Sequence, residues 1–323
     1  MYDLLIVGAG PIGMTCAIEA QKAGLKYVII EKGVLVNSLY NFPTNMTFFS
    51  TSKKLEIGGI PFISHNEKPT RREALEYFRR VNEDWKLNIN FYEKVLTINK
   101  LDNKTFHINT TKKTYQSKSI IVVTGFYDLP KTLNVPGGNL PKVKHYYDDW
   151  HPYIGQKVVV IGAANSACDV ALELYHKGAN VTMVVRKNSI SPRVKYWIKP
   201  NIENRIKEGS IPAYFNSNII EIKEGKIAIQ TPDKVINIEN DFVLAMTGYL
   251  PDYDFFEKIG IEFQDDEYQT PIHDETTLET NIPNLYIAGV INAGKYTSKY
   301  FIENTREHAA MILKNILEKR SQE

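Results

Sequence analysis

Two glycine-rich turns, at Gly8 and Gly162 and 154 residues apart, constrain this 323-residue chain more than any other feature. The first sits in YDLLIVGAGPIGMTCAIEA, where an apolar run, a turn and a helical pattern follow one another. Pro11 falls in the first helical turn, where its missing N–H costs nothing, and Gly24 suits the C-terminal end. The pattern predicts a helix over 11–23, and β-branched Val28, Ile29 and Ile30 predict the next strand. The second turn repeats the design in KVVVIGAANSACDVALELYHKGANVTMVV. Here we expect a strand over 158–161, a helix over 165–177 ended by Gly178, and a strand over 181–185. Each is a βαβ unit. One glycine motif is weak, but its recurrence argues for an α/β chain with two dinucleotide-binding, Rossmann-like, three-layer domains.

The remaining elements suggest how the two domains share the chain. A helix over 70–84 and short alternating strands over 87–115 precede the apolar run SIIVVTG, which ends at Gly125. After the second unit come FVLAMTGYLPD, then NLYIAGV, then a helical pattern over 298–319. We therefore expect one domain from 1–124 and 248–323, with the second, 125–247, inserted into it. The 39 basic and 37 acidic residues are interspersed and nearly balance. That argues against a nucleic-acid or membrane-surface partner, which would need a one-sided basic field. With neither a leader-like start nor a long apolar run, a cytoplasmic globular protein is expected.

In GAGPIG, Gly8 permits the tight turn, Gly10 lets the backbone approach a pyrophosphate, and Gly13 lets the helix pack closely on the strand. Glu31 follows Gly8 by 23 residues, at the end of the second strand. A carboxylate there accepts from an adenosine ribose and repels a 2′-phosphate. This pocket suits FAD or NAD and disfavours NADP. In GAANSA, Gly162 keeps the first place while Ala164 and Ala167 replace the other two glycines. The matching strand ends in Arg186 and Lys187, with Arg186 24 residues after Gly162. A guanidinium there pairs with a 2′-phosphate. A hydrogen bond to a charged group contributes about 1.5–3 kcal/mol, so one contact favours NADPH over NADH about tenfold or more. Two pockets of opposite preference imply a hydride relay from NADPH through FAD to a further acceptor.

Cysteine usage limits that acceptor. Cys16 and Cys168 are the only two cysteines, far apart and each within a predicted helix. No Cys-x-x-Cys is present, so an internal dithiol relay is excluded, and with two distant cysteines neither a disulfide framework nor a cysteine-based metal site is expected; no metal is expected. Cys16, about one turn beyond Gly13, reads as a small apolar packing residue, with a catalytic thiol as the lesser alternative. Cys168 reads as core.

The chain resembles the bacillithiol-disulfide reductase family, itself similar to low-molecular-weight thioredoxin reductases but without the Cys-x-x-Cys. The likeness runs essentially end to end. It is carried by SLYNFPTNMTFFSTSKKLEIGGIPFI, LPKVKHYYDDWHPY, VVVIGAANSACDVALEL, SPRVKYWIKPN, FVLAMTGYLPDYDF and NLYIAGVINAG. The resemblance implies a homo-oligomeric, FAD-containing, NADPH-dependent enzyme that reduces a small thiol disulfide at the flavin. It implies that Gly8, Gly10, Pro11, Ile12, Gly13, Glu31 and Lys32 hold the adenosine diphosphate half of FAD, with Val95 also facing FAD. Tyr40, Asn45 and Thr47 would approach the isoalloxazine ring, Gly289 and Val290 would lie near the ribityl chain, and Glu303 and Asn304, at the start of the last helix, would also bind FAD. Thr124–Gly125 and Thr247–Gly248 would be the crossings between domains, the first pair on the FAD side and the second on the NADPH side. Gly162, Ala164, Asn165, Ser166, Ala167, Arg186 and Lys187 would hold NADPH. The chain departs from its relatives at Ile12, where they carry cysteine, and at Ala164, where they carry a larger polar residue.

Three other readings compete. A flavin monooxygenase pairs the same two turns, and His145 matches the histidine of its signature, but the accompanying Phe and Gly are missing. A ferredoxin- or flavodoxin-NADP reductase of thioredoxin-reductase type also lacks the dithiol, but often ends in an aromatic extension. This chain ends LKNILEKRSQE. A redox sensor without turnover is the third.

Overall fold

The structure, a computed structural model, describes residues 1–102 and 104–322. They form two compact units, one from Met1–Leu129 and Tyr249–Glu323, the other from Pro130–Gly248. Both are Rossmann-like α/β folds.

In the first unit, Tyr2–Val7 lies in parallel between Tyr27–Ile30 and the long strand Thr114–Val122, with Val7 opposite both Ile30 and Val122. The far edge of Thr114–Val122 is shared. Its first half pairs with Phe106–Thr110 in an antiparallel meander, and its second half pairs in parallel with Leu285–Ile287. Strand residues alternate between two cores. Leu4, Ile6, Ile29 and Ile121 pack under the helices Pro11–Lys22, Arg71–Trp85 and His308–Arg320. Leu5, Val7, Val28 and Val122 face the other side, with Phe106, Ile108 and Phe256. Covering on both faces is why these strands read as unbroken apolar runs. Arg71–Trp85 begins where the sequence implies, because Thr70 and Glu73 form a reciprocal capping box.

The second unit stacks five parallel strands in the order Ala213–Tyr214, Asn180–Val184, Lys157–Ile161, Phe242–Ala245 and Val143–Lys144. Val158 and Val160 face the helix Asn165–His176, whereas Val159 faces a three-stranded antiparallel sheet spanning Asn218–Glu239.

Two expectations need adjustment. The units divide at 129/130 and 248/249 rather than at 124/125 and 247/248. Beyond Gly125 the chain stays on the first unit, because Tyr127 packs edge-on against Phe42 and Asp128 pairs with Lys32 at 2.7 Å. The helical pattern over 298–319 is also two helices, Ile302–Thr305 and His308–Arg320. The first starts late because Asn304 turns back to accept from the Phe301 amide and donate to the Lys299 carbonyl. No helix among the described residues is long and apolar enough to cross a membrane.

Candidate functional site

Each unit builds its glycine turn by the same device. Gly8 has φ +115°, and a Cβ there would lie 2.7 Å from the Val123 carbonyl oxygen. Gly162 has φ +128°, and its Cβ would lie 2.6 Å from the Met246 carbonyl oxygen. Both positions require glycine on conformation and on space. Each turn thus backs onto the Thr-Gly pair that ends the neighbouring strand, Thr124–Gly125 in one unit and Thr247–Gly248 in the other.

At the first turn the three glycines differ in kind. A Cβ on Gly13 would stand 2.0 Å from the Gly8 carbonyl oxygen, so Gly13 serves helix–strand packing. Gly10 has an ordinary φ of −71° and nothing within 4 Å of its missing Cβ. Its lack of a side chain answers to no contact inside the protein, and leaves an open cradle. No side chain caps the helix that begins at Pro11, so the amides of Ile12 and Gly13 point toward that cradle without an intrahelical partner. Glu31, 5% exposed, accepts from the Ala9 amide at 2.7 Å and the Gly33 amide at 2.8 Å. Burial raises its carboxyl above the usual range, and the two amides and Lys32 oppose that shift. The two bonds leave further lone pairs for a ligand hydroxyl. Beside Gly8, the buried hydroxyl of Thr124 has no hydrogen-bond partner. The same is true of Asn292 Oδ1, whose amide nitrogen holds the Ile287 carbonyl at 3.0 Å. Orphaned buried polar atoms beside an open, uncapped glycine cradle fit a bound dinucleotide.

The fold gathers Gly8, Gly10, Pro11, Ile12, Gly13, Glu31 and Thr124 at this turn, and Gly289 reaches it through its approach to Ile12. Val290 follows in the same short turn, Gly289–Ala293. Other expected residues stand differently. The side chain of Val95 is buried in the core among Ile98, Phe106 and Ile108, so only its backbone is available to a ligand. Lys32 is paired with Asp128. Tyr40 lies under the Arg71 guanidinium, and Thr47 bridges to Thr70, which ties that segment to the Arg71–Trp85 helix; Asn45 is exposed. Glu303 accepts from Ser50, and Asn304 is spent on its own helix start. Sequence reasoning missed His308. Its buried Nδ1 accepts from the Gly289 amide at 3.2 Å, which fixes the turn opposite Ile12. Burial, then the nearby His273, lower its pKa to about 4. Nothing in the sequence signals a partner 19 residues away.

At the second turn, Ala164 occupies the place of Gly10 with φ −97° and ψ −173°, an extended conformation open to any residue. Ala167 is fully buried, with its Cβ 3.2 Å from the position a Gly162 Cβ would take. Ser166, Arg186 and Lys187 are exposed, and neither Arg186 nor Lys187 joins an ion pair among the described residues. Asn165 is turned away from the helix mouth, donating to the Arg193 carbonyl at 3.2 Å and accepting from the Lys195 amide at 2.8 Å. Thr247 Oγ1 donates to the Lys131 carbonyl at 2.7 Å, and the Gly248 carbonyl accepts from the Lys131 amide at 2.9 Å. Arg193, exposed near this turn, is a second residue the sequence reading did not single out.

Neither cysteine is chemically available. Cys16 and Cys168 are fully buried, and burial pushes both thiols up to about 12. Thiolate chemistry needs the reverse. His145, with its pKa lowered by burial, opens into a groove lined by Thr132, Pro136 and Gly138, and no residue of the second turn lines it. No group of three or more His, Cys, Asp or Glu residues among the described ones is arranged to hold a metal.

A family model for pyridine nucleotide-disulphide oxidoreductases matches residues 5–289. The chain is 45% identical over 313 residues to the bacilliredoxin reductase Bdr of Bacillus subtilis (strain 168), covering 97% of this chain and 96% of the relative. Among solved structures, the bacillithiol disulfide reductase Bdr (YpdA) from Staphylococcus aureus superposes with a TM-score of 0.95 at 44% identity, covering 98% of each chain. The Bacillus cereus structure of the same name gives 0.96 at 42%, covering 98% of this chain and 99% of that one.

Proposed function

The chain belongs to the pyridine nucleotide-disulphide oxidoreductase family, and on that premise we propose that it passes hydride from NADPH through FAD to a low-molecular-weight thiol disulfide, with bacillithiol disulfide as the substrate. One observation carries the relay: two uncapped helix N-termini over glycine turns, with a buried acid at the end of one strand and exposed bases at the end of the other. Bound FAD would supply the two-electron chemistry that links NADPH to the disulfide.

The residues divide the binding. In the first unit, Gly10 leaves space that would take the pyrophosphate of FAD, and the amides of Ile12 and Gly13 would donate to it. Glu31 would accept from the adenosine ribose, and Thr124 and Asn292 would offer their unpartnered oxygens to the bound FAD. In the second unit, the exposed Arg186, Lys187 and Arg193 would hold the 2′-phosphate of NADPH. Ala164 puts a methyl where Gly10 leaves space, which suits a cofactor that binds and leaves. The net reaction is RSSR + NADPH + H⁺ → 2 RSH + NADP⁺. With Ile12 in the first turn and both thiols buried, the disulfide is reduced without a protein cysteine. We extend the proposal to a homo-oligomer acting in the cytoplasm, checked by light scattering and by fractionation.

The relatives' names point to two oxidants, a small disulfide and a bacilliredoxin. We would reduce the flavin with NADPH without oxygen, then follow its reoxidation by bacillithiol disulfide, oxidised bacilliredoxin, air, and oxidised ferredoxin or flavodoxin. Fast reoxidation by the small disulfide is expected. Reoxidation by bacilliredoxin alone would move the substrate to a protein. Reoxidation only by air or an electron carrier would overturn the reductase reading.

A further inference from the structure

We propose that Asn165, Asp169 and Lys195 form a clamp that sets the selectivity of the second unit for a 2′-phosphorylated nucleotide, by fixing the turn that carries Arg193. The proposal rests on the reading of this unit as the NADPH site.

After Arg186 and Lys187 the chain returns to the core at Ile190 and again at Val194, and Pro192 and Arg193 are exposed between these two anchors. The base of that turn is sewn to the second glycine turn. The Ser191 amide donates to the Ala163 carbonyl at 2.9 Å, and the Lys195 amide donates to Asn165 Oδ1 at 2.8 Å. Ala163 and Asn165 flank Ala164, the residue at the helix mouth. Asn165 Nδ2 also holds the carbonyl of Arg193 itself, at 3.2 Å.

Lys195 is gripped twice from one helix face. Asn165 and Asp169 are i and i+4, so their side chains lie one above the other. Asn165 takes the backbone amide of Lys195, and Asp169 takes its ammonium at 2.7 Å. The Lys195 side chain is only 10% exposed, and the Trp197 ring lies 5.8 Å from its charge. With Asp169 itself half-buried, this ion pair is weak evidence for stability, because desolvation of Lys195 offsets the attraction; the better-attested use of such a pair is to fix one arrangement. Here the arrangement fixed is the position of Arg193 relative to the mouth of the nucleotide helix. With the backbone at Arg193 held in place, its exposed guanidinium is presented to a phosphate at a smaller ordering cost than from a mobile loop. Asp169 and Lys195 are thus positioning residues, acting through Arg193.

The test is equilibrium binding of adenosine 2′,5′-bisphosphate and of 5′-AMP to the full chain. Wild type is expected to prefer the bisphosphate. Asp169→Asn and Lys195→Met should each lower that preference about five- to tenfold, by weakening the bisphosphate alone. Asp169→Glu should restore most of it. In an Arg193→Gln background, Asp169→Asn should change nothing further, since the two act as a unit. The clamp is overturned if Asp169→Asn leaves the preference unchanged, weakens both ligands alike, or adds its full effect to that of Arg193→Gln. Equal binding of the two ligands by wild type would remove the NADPH assignment, and the clamp with it, before any variant is compared.

Discussion

Residue by residue, the two halves of a glycine motif answer to different constraints. Gly13 faces its own backbone at 2.0 Å, whereas Gly10 faces open space. Gly13→Ala should therefore destabilise the first unit by about 1–3 kcal/mol through overpacking, seen as a lower unfolding temperature. Gly10→Glu should purify without its yellow flavin, shown by absorbance near the flavin band, and unfold near the temperature of flavin-stripped wild type, since only the stabilisation by bound FAD is lost. A Gly10→Glu protein with full flavin would place FAD elsewhere. The motif spacing made Gly8, Gly10, Gly13 and Glu31 legible in the sequence, because a turn, a close approach and a strand end are local. Arg193 and Asn165 were not legible in their roles. Asn165 looked like a phosphate ligand, but its side chain is committed to the 193–195 backbone, a partnership set by how a distant loop packs.

At the level of elements, the last helix does more than cover a core. His308, one residue into it, accepts the Gly289 amide and so ties helix to turn. Its folded pKa is lowered from 6.5 to about 4, by burial and then by His273. The unfolded chain therefore takes up the proton first as pH falls. The stability from this group is fully present above about pH 6.5 and is lost as pH falls toward 4, by a total on the order of 3 kcal/mol. His308→Asn keeps an acceptor near Nδ1 but does not titrate. Its unfolding temperature should fall less steeply than that of wild type between pH 6.5 and 4, and equal slopes would refute the assignment. The helix itself was legible from its apolar periodicity, but its late start at Ile302 was not, because Asn304 caps the preceding turn through a side-chain geometry that periodicity does not encode.

For the whole molecule, one thiol sits in the core of each unit, and neither unit offers it to solvent. A Cys16→Ala, Cys168→Ala double variant should lose stability, about 1 kcal/mol for each small cavity, while disulfide turnover stays within twofold of wild type. A collapse of turnover without loss of flavin would restore a thiol to the mechanism. The two-domain plan and the insertion were legible because each βαβ signature is local and the elements recur in order. The crossing points were displaced by a few residues because Tyr127 and Asp128 hold the chain to the first unit through contacts with Phe42 and Lys32. The same insertion has a consequence for synthesis. Leu285–Ile287 must pair with Thr114–Val122, and Ile287 stands opposite Val122 across 164 residues of intervening chain. On a ribosome adding about 5–20 residues per second, that strand edge stays bare for roughly 10–30 s, while the inserted unit has already emerged whole. The nascent protein thus carries an uncovered apolar strand edge while half finished in space, so translation speed and chaperone access should bear on its soluble yield alongside final stability.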